Sequence, residues 1–122
     1  MLLTGFAAIA LMAPAPALAS EETAVGYEPL IEGKVAAAID EIEANETLDA
    51  NDPARLINLG IAYANQGRTA EARTLFETAM NSSDRLALET ADGDWKDSKH
   101  LARLALKMLE RGDFASERMA SR

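Results

Sequence analysis

Between residues 28 and 48 the apolar side chains Leu30, Ile31, Val35, Ala38, Ile39 and Ile42 recur at spacings of three and four. That is the period of one buried helix face, and Glu32, Asp40, Glu41, Glu43 and Glu46 fill the other. The pattern predicts a helix over 28–48, closed by Asp49-Ala50-Asn51-Asp52-Pro53. Asp52 as N-cap and Pro53 as first residue then open a helix over 53–66. Its stripe is Leu56, Leu59, Gly60 and Tyr63, and Gly67 stops it. Thr69 is predicted to cap a third helix, with Ala72, Leu75, Phe76 and Ala79 inward and Asn81-Ser82-Ser83-Asp84 at its end.

Residues 85–97 break the helical period. Leu86 and Leu88 alternate with Ala87 and Glu89, which suits a short extended piece, and Ala91-Asp92-Gly93-Asp94 is a turn signal. Trp95 beside that turn reads as a packing lid over a helix end. Asp97 or Ser98 can cap a fourth helix over 98–111, with Leu101, Leu104, Ala105 and Met108 inward and Gly112 as its stop. Phe114 begins a short fifth helix. No partner strand is visible for the extended piece, so the predicted class is all-α.

Residues 1–19 carry no charge, and the apolar run from Leu2 to Met12 leads into Pro14, Pro16 and Ala17-Leu18-Ala19. Small residues at 17 and 19 match the pattern before a signal-peptidase cut, expected between Ala19 and Ser20, although no Lys or Arg precedes the run. An apolar stretch with two prolines is too short to span a bilayer core of about 30 Å. The expectation is a cleaved signal peptide over 1–19, a flexible lead-in over 20–27 and a helical domain over 28–120. The mature chain would be periplasmic or secreted in a bacterium, with no membrane insertion after cleavage.

Composition narrows the chemistry. The 122 residues include 20 acidic and 12 basic side chains, a net charge of −8, which argues against a nucleic-acid partner. Zero cysteine removes disulfides, thiolate nucleophiles and Cys-ligated metals, and a single histidine removes multi-His metal sites. His100 has no triad partner in spacing, and the paired carboxylates lie on a solvated face. Asp92, Asp94 and Asp97 surround a misplaced Gly93, with no later Glu at the spacing a calcium loop needs. No catalytic residue, metal site or cofactor is expected.

Residues 53–86 resemble a tetratricopeptide repeat of 34 residues. The family pattern W-x2-L-G-x2-Y followed by A-x3-F-x2-A reads here as Leu56, Leu59, Gly60, Tyr63, then Ala72, Phe76, Ala79. Leu56 replaces the common Trp, and Asp84 the common Pro. Gly60 and Ala72 are small where paired helices approach, and Tyr63 and Phe76 fill the space between. Counting back 34 residues sets Ala38 and Ile42 opposite Ala72 and Phe76, so 28–48 looks like the second helix of a preceding repeat. From Gly67 to Gly112 is 45 residues, which places an insert over 85–97 and a partial repeat over 98–120. The resemblance implies antiparallel helix hairpins stacked as a short α-solenoid, with one full repeat and partial flanking ones. It implies a protein-interaction module that offers its concave face to a peptide or partner helix.

Candidate binding residues follow from the resemblance and from charge. The face of 53–66 opposite the core stripe holds Ala54, Asn58, Ile61, Ala62 and Asn65, and in the family that face lines the ligand groove. Some members grip a terminal carboxylate with Lys, Asn and Arg, and Asn58, Lys99 and Arg103 fall at three of those positions. The expected partner-binding set is Asn58, Ile61, Asn65, Lys99 and Arg103. Charge is also uneven: residues 20–52 hold ten acids and one base, whereas Lys99, Arg103, Lys107 and Arg111 recur every four residues. The stripe reads as a solvated face favoured near a helix C-terminus, or as a dock for an acidic peptide or the acidic helix of a second copy. A homo-oligomer, as a self-associating assembly component, is therefore the alternative to capture of a different protein.

Overall fold

The computed structural model describes residues 25–114. The expected signal peptide, most of the lead-in and the end of the 98–120 segment lie outside them. The described residues are mostly helical: α1 (Tyr27–Ile31), α2 (Val35–Ala44), α3 (Pro53–Asn65), α4 (Thr69–Asn81) and α5 (Ser98–Arg111), with β1 (Ala87–Glu89) and β2 (Trp95–Asp97) between α4 and α5. No described helix is long and apolar enough to cross a membrane.

The helix expected over 28–48 is two. Gly33, at φ +79°, takes a left-handed conformation between them, which an ordinary side chain would resist. α2 also stops at Ala44, because the Asn45 carboxamide oxygen accepts from the Thr47 N–H at 3.0 Å and from its hydroxyl at 2.6 Å. That local turn competes with the helical ladder. Residues 25–27, within the expected lead-in, pack against the helices. Val25 and Tyr27 are buried, and the Gly26 N–H donates to Glu41 Oε2 at 2.9 Å.

α3 begins as expected, its Asp52 carboxylate accepting from the N–H groups of Ala54 and Arg55 at 2.9 and 3.2 Å. It is buried on nearly all sides, which marks the central helix of a small core. The turn to α4 satisfies the end of α3 through Arg68 N–H to Tyr63 O at 2.9 Å and Gly67 N–H to Ala64 O at 3.0 Å. Thr69 does not cap α4; the N-cap is Arg68, without a side-chain bond. Arg68 instead grips the first-turn Glu71 at 2.6 and 2.8 Å.

α3 and α4 pack as an antiparallel hairpin. A Cβ on Gly60 would lie 2.5 Å from the Phe76 ring, so the absence of a side chain there sets how closely the two helices approach. Ala72, Phe76 and Ala79 are fully buried, and Phe76 stacks on Phe114 with ring centroids 6.3 Å apart. α2 packs on α3, and α5 packs on α4 and α3; α2 and α5 share no packing seam.

The extended piece has a partner after all. β1 pairs antiparallel with β2, in the register Ala87↔Asp97, Leu88↔Lys96 and Glu89↔Trp95. The turn closes through Thr90 N–H to Asp94 O at 2.8 Å, and the Thr90 hydroxyl donates to Asp92. Ser98 N–H to Leu86 O at 2.8 Å ties the hairpin to the start of α5. The pairing escapes a reading by periodicity because Trp95-Lys96-Asp97 has no apolar alternation of its own. The described residues are thus mostly helical, roughly as the all-α class expects, with one small two-stranded sheet added.

Candidate partner-binding surface

The expected site residues fall into two groups. Asn58 and Ile61 belong to the interior, at 0% and 2% exposure. The Asn58 Nδ2 donates to the carbonyl of Val25 at 3.0 Å. The wall expected to be open is therefore buried, and Asn58 is met there by the chain's own Val25. The reason is local: α3 is apolar on the Ile57 and Ile61 side, and Val25 supplies apolar cover while its carbonyl satisfies the buried amide. Asn65, near the end of α3, is half-buried, and its Oδ1 has no hydrogen-bond partner among the described residues.

Lys99 and Arg103 lie one turn apart on α5, Lys99 half-buried and Arg103 exposed, with Lys107 exposed a turn further on. The structure thus separates this pair from the buried Asn58 and Ile61. Arg111 bonds Asp113 at 2.7 Å, and Glu110 faces Arg73 at 3.7 Å. Among the described residues Lys99, Arg103 and Lys107 have no acidic partner, whereas Lys34, Arg68, Arg73, Arg85, Lys96 and Arg111 each have one.

The start of α5 is held by Asp97. Its carboxylate accepts from the N–H groups of Lys99 and His100 at 3.1 and 3.2 Å and from Arg85 Nε at 2.7 Å. The Arg85 bond, with the two N–H groups, keeps this carboxyl below the ordinary aspartate range. Just ahead of it Trp95 is 52% exposed. Trp95 does not serve as a packing lid: it lies on the strand face shared with Glu89, opposite the face that buries Leu88. The alternation of Leu86 and Leu88 was the signal that could have located this hairpin, but nothing in sequence indicated which face its tryptophan would take.

A second feature lies between α3 and α4. Leu59, Tyr63, Ala70 and Leu75, with Glu71 and Thr74, line an open, mostly apolar groove of about 420 Å³. The Tyr63 hydroxyl donates to Glu43 of α2 at 3.0 Å, and the Arg68 guanidinium lies 4.0 Å from its ring centroid. Burial and the Glu43 bond both hold the phenol proton above its ordinary range. A second, polar cleft of about 540 Å³ runs along the end of α4 past Thr74, Thr78, Asn81 and Asp84. No three metal-ligating side chains converge among the described residues.

The described residues form a small, mostly helical fold in which three cations of α5 have no acidic partner among those residues and the tryptophan of β2 is exposed. No protein-family model matches this chain, no curated protein matches it, and no solved structure matches it.

Proposed function

We propose that this protein is a non-catalytic protein-interaction module built as a short tetratricopeptide-like stack, an adaptor or scaffold of the bacterial cell envelope. The observation that carries the binding role is the row of Lys99, Arg103 and Lys107 on α5, without acidic partners among the described residues, with the exposed Trp95 four residues ahead of Lys99. Unpaired charge next to an aromatic anchor suits the rim and centre of a protein interface. The repeat reading is supported by the Gly60–Phe76 approach and the burial of Ala72 and Ala79, with α2 and α5 packed beside the α3–α4 hairpin. The envelope location is supported by the uncharged 1–19 segment and its Ala17-Leu18-Ala19 ending.

On this reading the recognition surface is the α5 flank rather than the Asn58–Ile61 wall. It takes an acidic protein segment, with Arg103 able to hold a carboxylate bidentately. The test is affinity capture from a periplasmic extract with the tagged chain beside Lys99→Glu/Arg103→Glu. A protein retained by the parent and lost by the variant, with melting unchanged, supports the reading. Equal retention by both removes the α5 flank.

A further inference from the structure

The molecule has two unlike flanks. One carries Trp95 on β2 and, on α5, Lys99, Arg103 and Lys107. Cations four residues apart rise about 6 Å per step, so the row runs about 12 Å along the helix. The other flank is α2, whose exposed positions include Asp40 and Glu43, followed by Glu46. Asp40 and Glu46 have no basic partner among the described residues. Beside α2 opens the groove formed by Leu59, Tyr63, Ala70 and Leu75, joined to it by the Tyr63–Glu43 bond.

Each flank has what the other lacks. An exposed indole is a large apolar body with one polar N–H, and its burial is favourable where an apolar groove receives it. Among the described residues the three cations meet no acid. We infer that the partner of the α5 flank is a second copy of this chain, bound head to tail. Trp95 of one copy enters the Leu59–Tyr63–Leu75 groove of the next, and Lys99, Arg103 and Lys107 face its Asp40, Glu43 and Glu46. The inference rests on the reading of the α5 flank as a partner-binding surface and names that partner. A net charge of −8 opposes pairing of two acidic flanks, while head-to-tail apposition brings unlike charges together. Because the paired surfaces differ, each contact leaves one free flank at either end, and the assembly extends unless its rotation closes a ring.

The experiment is sedimentation velocity of the full chain over a concentration series at low and high salt, with Trp95 fluorescence recorded in parallel. Trp95 is the chain's one tryptophan, so its emission reports this contact alone. The weight-average mass should roughly double or more with concentration and fall back at high salt. Trp95 emission should move to shorter wavelength as mass rises. Lys99→Glu/Arg103→Glu/Lys107→Glu and Asp40→Lys/Glu43→Lys/Glu46→Lys should each sediment as monomers, and their equimolar mixture should assemble again. Trp95→Ser, which leaves every charge in place, should weaken assembly without loss of helicity. A monomer at every concentration overturns the inference. So does assembly indifferent to salt and to all three variants. A monomeric chain that still captures a different protein through Lys99 and Arg103 overturns the second copy alone. A monomeric chain that captures nothing overturns the binding role as well.

Discussion

Replacement of Gly60 by alanine sets two effects of opposite sign against each other. In a helix interior alanine is favoured over glycine by about 1 kcal/mol. At this position the new Cβ would meet Phe76 Cε1 at 2.5 Å and Cδ1 at 2.8 Å, far inside the carbon–carbon optimum of about 3.5–4.0 Å. The ring has little room to move, since Phe76 is fully buried and stacked on Phe114. Either α3 and α4 part or the ring leaves its rotamer, and overpacking of this kind costs about 1–3 kcal/mol. A contact this short falls toward the upper end, so the net loss is about 1–2 kcal/mol after the propensity gain. For a domain of this size that lowers Tm by roughly 5–15 °C. Thermal and urea unfolding followed by circular dichroism would measure it, with an unchanged urea slope showing that stability alone moved. In a Phe76→Leu background the same substitution should cost far less, and the double-mutant cycle would assign the difference to this contact. A Gly60→Ala chain that melts at or above the parent's temperature refutes the reasoning.

Asn58→Ala should destabilise by about 1–3 kcal/mol, since it removes a buried donor from the Val25 carbonyl. Amide exchange at Gly26 and along α1 should accelerate, and unchanged melting with unchanged exchange would count against the bond. Asp97→Asn keeps a competent N-cap but loses the charged bond to Arg85. Because the folded carboxyl titrates below the ordinary value of 3.8, its contribution is present above that pH and disappears as pH falls through the folded value. The variant should therefore melt a few degrees below the parent at neutral pH, and the gap should close in acid. A gap that stays constant into strong acid would rule out the ion pair as its source.

Much of the helical framework is legible in one dimension because its signals are local. Asp52-Pro53 starts α3 and Asp97 starts α5, each by side-chain acceptance of the first free N–H groups. Gly67 and Gly112 end α3 and α5 within a residue of where they are read. The spacing of Leu59, Gly60, Ala72 and Phe76 already implies one close helix pair, and the Gly60–Phe76 contact realises it. Three local features depart from the periodic reading, one being the α4 N-cap, which is Arg68 rather than Thr69. Gly33 breaks the first helix, and Asn45 shortens it by turning on Thr47.

The expected site suffered most, for a reason that periodicity cannot supply. Helical angle divides α3 into two faces but does not say how many of them find cover. Angle sets Asn58 and Ile61 on the face away from the core stripe, yet both are buried, and the Val25 carbonyl, 33 residues back in the chain, accepts from the Asn58 amide. On α5 Arg103 is exposed and Lys99 half-buried. Trp95 faces outward because pairing of β2 with β1 commits the opposite strand face to Leu88.

Residues a few positions apart suffice to place α3 and α5 with their caps Asp52 and Asp97, and to show the unequal charge of the two halves. Only the folded chain brings Val25 to Asn58, pairs β1 with β2, and leaves Trp95 exposed and three cations without acidic partners among the described residues. Those outcomes depend on contacts between residues distant in the chain, where burial of one face excludes every competing use of it.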